Sequence, residues 1–324
     1  MQRPSSSALG LLLAGCGGGN SAPAPTDLKV VAGDTSATIT SQNLLGLTFT
    51  SGTTTGVSSA VAVGSGGAAF FSTDSINWTT VASNVAIDLN AAVYATSHFL
   101  VVGNGGTLLT SVDGAAWSPQ ASPTAANLYG VTSNGAATSV AVGASGTIIV
   151  SSDGTTWAAA NSQTTADLYG VTFANGLYVA VGANGVIVTS PDGGQWTAIP
   201  PITSANLRKA SYGAYVAGAA AAVASTWVAV GDGGTLLTSA DGVAWVTQRP
   251  ITGGNLTSIA HGTQFIAVGT GGNIFTSDDG VAWQPAVSGV TQDLHAVVFT
   301  VLTGGSVGVG YLAVGNHGTS LSSF

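Results

Sequence analysis

The chain has 324 residues, of which only 6 % are charged, and a formal net charge of −8. All 13 acidic residues are Asp, and the five basic ones are Arg3, Lys29, Arg208, Lys209 and Arg249. No basic stripe exists to neutralise phosphates, which excludes nucleic acid as a partner. The 47 Gly, with abundant Ser, Thr, Val and Ala, predict short strands and tight turns in one large all-β domain.

Residues 1–15 read as a signal peptide. An apolar run from Ala8 to Ala14 follows Arg3 and ends in Leu13-Ala14-Gly15-Cys16. This resembles a bacterial lipobox, whose Cys becomes acylated, so lipidation is expected at Cys16. The expected location is the cell envelope, lipid-anchored. Gly17, where an Asp would resemble an inner-membrane retention signal, points to an outer-membrane or periplasm-facing position. Residues 16–26 form a tether, flexible through its glycines and stiffened by Pro23 and Pro25. Tyr215 to Val230 is apolar but shorter than the ~20 residues a membrane-spanning helix needs.

From residue 43 onward the chain is a repeat. The phrase Ser-x-Asp-Gly-x-x-Trp closes at Trp78, Trp117, Trp157, Trp196, Trp245 and Trp283, at intervals of 39, 40, 39, 49 and 38 residues. The fourth copy shows four strand-like runs, Asp167–Phe173, Leu177–Gly182, Val186–Ser190 and Trp196–Ile199, here called A to D. Ala183-Asn184-Gly185 joins B to C, and Asn-Gly favours a hairpin because both residues tolerate positive φ.

Two spacings are invariant. The Gly that ends strand B lies 14 residues before the Trp, and the Leu that opens the next strand A lies 11 after it, in all six complete copies. Length therefore varies only between A and B. A seventh copy starts at Asp293-Leu294 and has no strand D, whereas residues 27–42 precede the first strand A and contain strand-like pieces at 28–31 and 37–40. The expected fold is a seven-bladed β-propeller of four-stranded antiparallel blades over residues 27–324, with 43–324 as repeats and 27–42 supplying the closing strand.

The six phrases resemble a one-residue-shorter form of the Asp-box of sialidase-like (BNR-like) propellers. The whole repeat is similar to bacterial Asp-box propellers, a group that includes photosystem II assembly factors. The resemblance implies the fold and leaves function open, since the group contains enzymes, binders and assembly factors. The sialidase chemistry calls for three arginines, a Glu and a Tyr. This chain has no Glu and, beyond the signal, only Arg208 and Arg249, so that set cannot be assembled. The basic patch of the photosystem assembly factors is missing as well.

Asp74, Asp113, Asp153, Asp192, Asp241 and Asp279 are expected to be structural, each holding its C–D turn by bonds to backbone N–H groups. The Gly after each allows positive φ, and Ser75 replaces it in the first copy, so that turn should be the most strained. Each Trp is expected to wedge against its sheet with its N–H bonded.

Antiparallel strands place the B–C and D–A connections on one face. There the residue before each strand-A Leu is always Asn or Asp: Asn43, Asp88, Asn127, Asp167, Asn206, Asn255 and Asp293. These predict Asx-turns into strand A, or a polar ring for a ligand. Asp232 and His317 in B–C turns, with Arg208 and His295 just inside strand A, join them as the candidate binding set. His98 and His261 read as strand-edge residues. The A–B loops Thr50–Ser59, Ser211–Ser225 and Thr300–Gly310 enlarge the opposite face with small apolar residues, a possible docking rim. The reading that fits these features is a monomeric, non-catalytic, lipid-anchored scaffold binding a protein partner or a glycan through one face, with no cofactor and no metal. The alternative is a glycoside hydrolase or lyase using a pair drawn from Asp88, Asp167, Asp232 and Asp293.

Overall fold

Strand B explains why the sheets stack face to face. In the fourth repeat Tyr178 and Ala180 pack toward the preceding sheet while Val179 and Val181 pack toward the next, and all four are buried. A strand covered on both sides needs no polar face. The computed structural model describes residues 40–50, 58–95, 97–217, 222–302 and 308–323. The signal, Cys16, the tether and residues 27–39 of the expected closing segment lie outside these.

In blade four, strands A (Leu168–Ala174), B (Leu177–Gly182), C (Ile187–Ser190) and D (Thr197–Ile199) pair antiparallel in chain order. Six sheets repeat this four-stranded order. The seventh has A (Leu294–Leu302), B (Gly308–Gly315) and C (Ser320–Ser323) among the described residues. Strand A of each blade packs on that of the next, and strand A of blade seven packs on that of blade one, Leu44–Thr50. The ring is closed, and the fold is a seven-bladed β-propeller. At the seam Leu44 and Leu47 pack against Leu312 and Val314, and the Gly318 N–H donates to the Gln42 carbonyl at 3.0 Å.

The invariant spacings have a steric cause. Asn184 and Gly185 both take positive φ, 55° and 73°, and the Val186 N–H closes the turn on the Ala183 carbonyl at 3.1 Å. A Cβ on Gly185 would stand 2.0 Å from the Thr203 carbonyl oxygen in the D–A linker, and one on Gly182 2.0 Å from that of Asp167. The B–C turn is thus pressed directly onto the linker that follows its own blade. An insertion in B, C, D or the linker would break this contact, and only the A–B connection is free of it.

In blades five and seven that freedom is used for longer strands, whereas residues 51–57 of the blade-one connection lie outside the described residues. In blade five A (Leu207–Ala217) and B (Ala222–Gly231) stay paired out to Ala217 and Ala222. In blade seven the pairing reaches Leu302 and Gly308. Most of the expected Ser211–Ser225 loop is therefore hairpin, and Val216 on it is 68 % exposed.

The C–D turns are built by the repeated Asp. Asp153 Oδ1 accepts the Thr155 and Thr156 N–H groups at 2.8 and 2.6 Å and the Ser151 hydroxyl at 3.0 Å, and the Gly154 N–H donates to Ser151 Oγ at 2.8 Å. Backbone N–H donors hold Asp113, Asp153, Asp192 and Asp241 below the usual carboxylate pKa. For Asp74 and Asp279 burial pushes the other way, and the hydrogen bonds outweigh it. Ser75 adopts φ 60°. Trp196, Trp245 and Trp283 donate Nε1–H to the carbonyls of Gly193, Gly242 and Gly280 at 2.8, 2.8 and 3.0 Å. In Trp78, Trp117 and Trp157 that N–H is buried with no partner, so the expected bond forms in half of the copies.

Candidate functional site at the channel mouth

Each strand-A Leu is buried between blades, which fixes the register of the residues on either side of it. The residue before the Leu is the Asx ring, and its side chains do not make local Asx-turns. Each Oδ1 reaches instead to the B–C turn of the preceding blade. Asp88 accepts Gly66 N–H at 2.8 Å, Asn127 accepts Gly105 at 2.9 Å, Asp167 accepts Ser145 at 2.8 Å and Asn206 accepts Asn184 at 3.0 Å. Asn255 accepts Gly233 at 2.9 Å, Asp293 accepts Gly271 at 2.7 Å and Asn43 accepts His317 at 3.2 Å. The backbone carbonyl of the same residue accepts an N–H from its own blade's B–C turn, as Asp167 does from Ala183 at 2.8 Å. Asn or Asp at all seven positions is required by the architecture before any ligand is considered.

The residue after the Leu faces the axis. Leu45, Asn90, Tyr129, Tyr169, Arg208, Thr257 and His295 form this second ring and line a central cavity of about 870 Å³. Arg208 and His295 were expected here from the sequence. Asn90, Tyr129, Tyr169 and Thr257 were not, although all stand at the same offset from the Leu. Of the candidate set, Asp167, Arg208, Asp232, Asn255 and His295 line the cavity. Asn43, Asp88, Asn127, Asn206, Asp293 and His317 stand outside its lining.

Blades three to five form the most organised sector. Arg208 Nε and Nη2 donate to Asp232 Oδ1 and Oδ2 at 2.7 and 2.8 Å, and Asn206 Nδ2 donates to Asp232 Oδ2 at 2.8 Å. The guanidinium carbon sits 4.7 Å from the centroid of the Tyr169 ring, and the rings of Tyr169 and Tyr129 lie 5.8 Å apart. Burial tends to raise the Asp232 pKa, but the bonds from Arg208 and Asn206 and the Arg208 charge outweigh it and hold it low. The Asp232 bond raises that of Arg208. Burial raises Tyr169, against the Arg208 charge.

Elsewhere the axial side chains bond to protein. Asn90 Nδ2 donates to Asn104 Oδ1 at 2.9 Å and to the Leu128 carbonyl at 2.8 Å. Thr257 Oγ1 donates to the Leu294 carbonyl. His295 Nε2 lies 2.6 Å from Asn316 Oδ1, within hydrogen-bond distance. Lys209, the next residue of blade five, also lines the cavity, and its Nζ lies 3.4 Å from the Val171 carbonyl oxygen. Burial pushes its pKa down to about 8. No group of three or more His, Cys, Asp or Glu with metal-binding geometry occurs among the described residues.

His98 opens its strand B and His261 ends its strand A, as expected of strand-edge residues. Each ring is half-buried against a neighbouring blade, His98 over Gly154 and His261 over Gly213. Both leave Nε2 buried without a partner, and burial lowers both pKa values.

No protein-family model matches the chain, and no curated protein matches it. Solved structures do. The chain is similar to YCF48 from Cyanidioschyzon merolae, with 20 % identity and a TM-score of 0.65 over 88 % of this chain and 96 % of that one. It is also similar to a YCF48 bound to a D1 peptide, with 17 % identity and a TM-score of 0.66 over 88 % and 92 % of the respective chains. At these identities the likeness is one of fold, and the chain is a seven-bladed propeller of the shape those proteins share.

Proposed function

We propose that the protein is a non-catalytic binding scaffold. A segment of a partner protein docks at the channel mouth, on the face of the B–C turns and D–A linkers. The observation that carries this reading is the Tyr129–Tyr169–Arg208 row. Two aromatic faces and a guanidinium held rigid by Asp232 line a concave site of about 870 Å³. Aromatic and Arg side chains supply most of the binding energy at protein interfaces, and pre-ordering them lowers the entropy lost on docking. The structure of a similar propeller, YCF48, bound to a D1 peptide supports a peptide rather than a glycan as the occupant.

A hydrolytic role is less well supported. Asp88, Asp167 and Asp293 each give an oxygen to a neighbouring turn, and Asp232 is held low by Arg208. A glycosidase needs one carboxyl raised to serve as acid. The lipobox around Cys16 supports an envelope location in which the lipid holds the propeller at a membrane surface.

The test is affinity capture with the purified chain from envelope extracts of its source, comparing wild type with Tyr129→Ala/Tyr169→Ala and with Val216→Asp. Loss of the captured protein in the tyrosine variant alone is expected. Loss in Val216→Asp alone would move the site to the hairpin face, and binding on a glycan array without protein capture would replace the partner.

A further inference from the structure

The second residue after each strand-A Leu stands where strand A meets that of a neighbouring blade, and six of the seven are small: Gly46, Ala91, Gly130, Gly170, Ser258 and Ala296. The reason is space. A Cβ on Gly46 would lie 2.7 Å from Ala91 Cα, and one on Gly170 would lie 2.6 Å from the Arg208 carbonyl oxygen. The seventh position is Lys209, whose chain passes beside Gly170 and lines the cavity. A long cationic side chain thus stands at the one level of the channel where every other blade has almost none.

No carboxylate among the described residues pairs with its charge. The ion pair among the described residues is Arg208–Asp232, which leaves Arg208 satisfied and Lys209 without a carboxylate. Of the three ammonium donors, one meets the Val171 carbonyl at 3.4 Å. The side chain is part-buried, and its remaining donors open onto a cavity of about 870 Å³, roomy enough for a small molecule or a few residues of peptide that could supply a counter-charge.

We infer that the channel receives a ligand through its free carboxylate, with Lys209 Nζ as the counter-ion. A single ammonium matches a monoanion. Phosphate dianions favour clustered Arg, and a chain of net charge −8 repels polyanions at long range. The carboxylate belongs to a small organic acid or to the C-terminus of a peptide. In the second case the site is the inner end of the docking groove proposed above, but the inference does not depend on that groove being used.

The experiment is calorimetric titration of the full chain with N-acetyl-phenylalanine, a C-terminally free tripeptide and benzoate, each beside its amide. The acids are expected to bind at least tenfold more tightly than the amides at pH 7, and Lys209→Met is expected to remove the preference. Because the amine sits near pKa 8, acid affinity in the wild type should fall about tenfold between pH 7 and pH 9. Asp167, Asp232, Arg208, Tyr129, Tyr169, His261 and His295 share the channel, and any pH dependence that persists in Lys209→Met belongs to them. Peptide acid binding without benzoate binding assigns the source as a chain terminus, and the reverse assigns a small metabolite. Equal affinity for acid and amide in the wild type would overturn the inference even if Lys209→Met fails to fold, as would an acid preference that survives Lys209→Met. Loss of the acid preference with partner capture intact would separate this site from the tyrosine groove.

Discussion

Ser75 is where the repeat departs from its own rule. The other five copies have Gly after the Asp, at φ between 75° and 80°, whereas Ser75 takes φ 60° with a Cβ and leaves its hydroxyl buried without a partner. A left-handed conformation costs an L-residue about 1–2 kcal/mol, and the greater unfolded-state freedom of Gly returns part of that. Ser75→Gly is therefore expected to stabilise the protein by about 1 kcal/mol, read as a higher urea midpoint at unchanged slope. A lower midpoint would mean that the hydroxyl has a partner in solution. This strain was legible from the sequence, because six aligned copies make one substitution conspicuous. Tyr129 and Tyr169 were not, since Tyr is an ordinary strand former and only the axis-facing register shows what two of them build. Lys209 was legible in principle, as the one large residue in a column of Gly, Ala and Ser.

At the level of elements, the blades are joined by more than apolar packing. The Asx ring was expected to make local turns or a ligand site, and it binds the turn of the blade before it. Sequence shows which residues recur but not whether a side chain bonds within its own segment or across to another, and here the preceding blade's B–C turn lies within reach of each Asx side chain. Removing one such bond leaves a turn N–H without its acceptor at a partly exposed site. Asn127→Ala is thus expected to cost about 1 kcal/mol in thermal or chemical unfolding with no effect on ligand affinity, since Asn127 stands outside the cavity lining. If Asn127→Ala weakened carboxylate or partner binding while leaving stability unchanged, the ring would be a recognition surface instead. The enlarged A–B connections show the same limit. Their lengths were legible, but the continued pairing to Ala217 and Ala222 follows from cross-strand partners that no single segment reveals.

For the whole molecule, blade number followed from the count of copies, and the two spacings are invariant because they are steric contacts repeated around a circle. The electrostatics add a direction in pH. His98 and His261 have folded pKa values below the unfolded 6.5, so the unfolded chain binds their protons more readily and stability falls as pH drops below about 6.5. The six Asp-box carboxyls are depressed below 3.8, so their contribution is present above that value and is lost as pH falls through their lower folded values. Two phases of acid destabilisation are expected in denaturation midpoints measured from pH 8 to pH 3, the upper one diminished in His98→Gln/His261→Gln. A flat profile down to pH 4 would show that these rings are hydrated in solution.

The seven Asx residues also limit how the propeller admits a guest. Each grips two successive turns, one by its carbonyl and one by its side chain, so the bonds run around the axis as an unbroken girdle. Such a girdle cannot dilate in one sector without straining both neighbours. The aperture is then set by rotamers of the axial side chains rather than by the spread of the sheets. Exchanging Tyr129, Tyr169 or Lys209 would change what passes through it while the frame stays the same width.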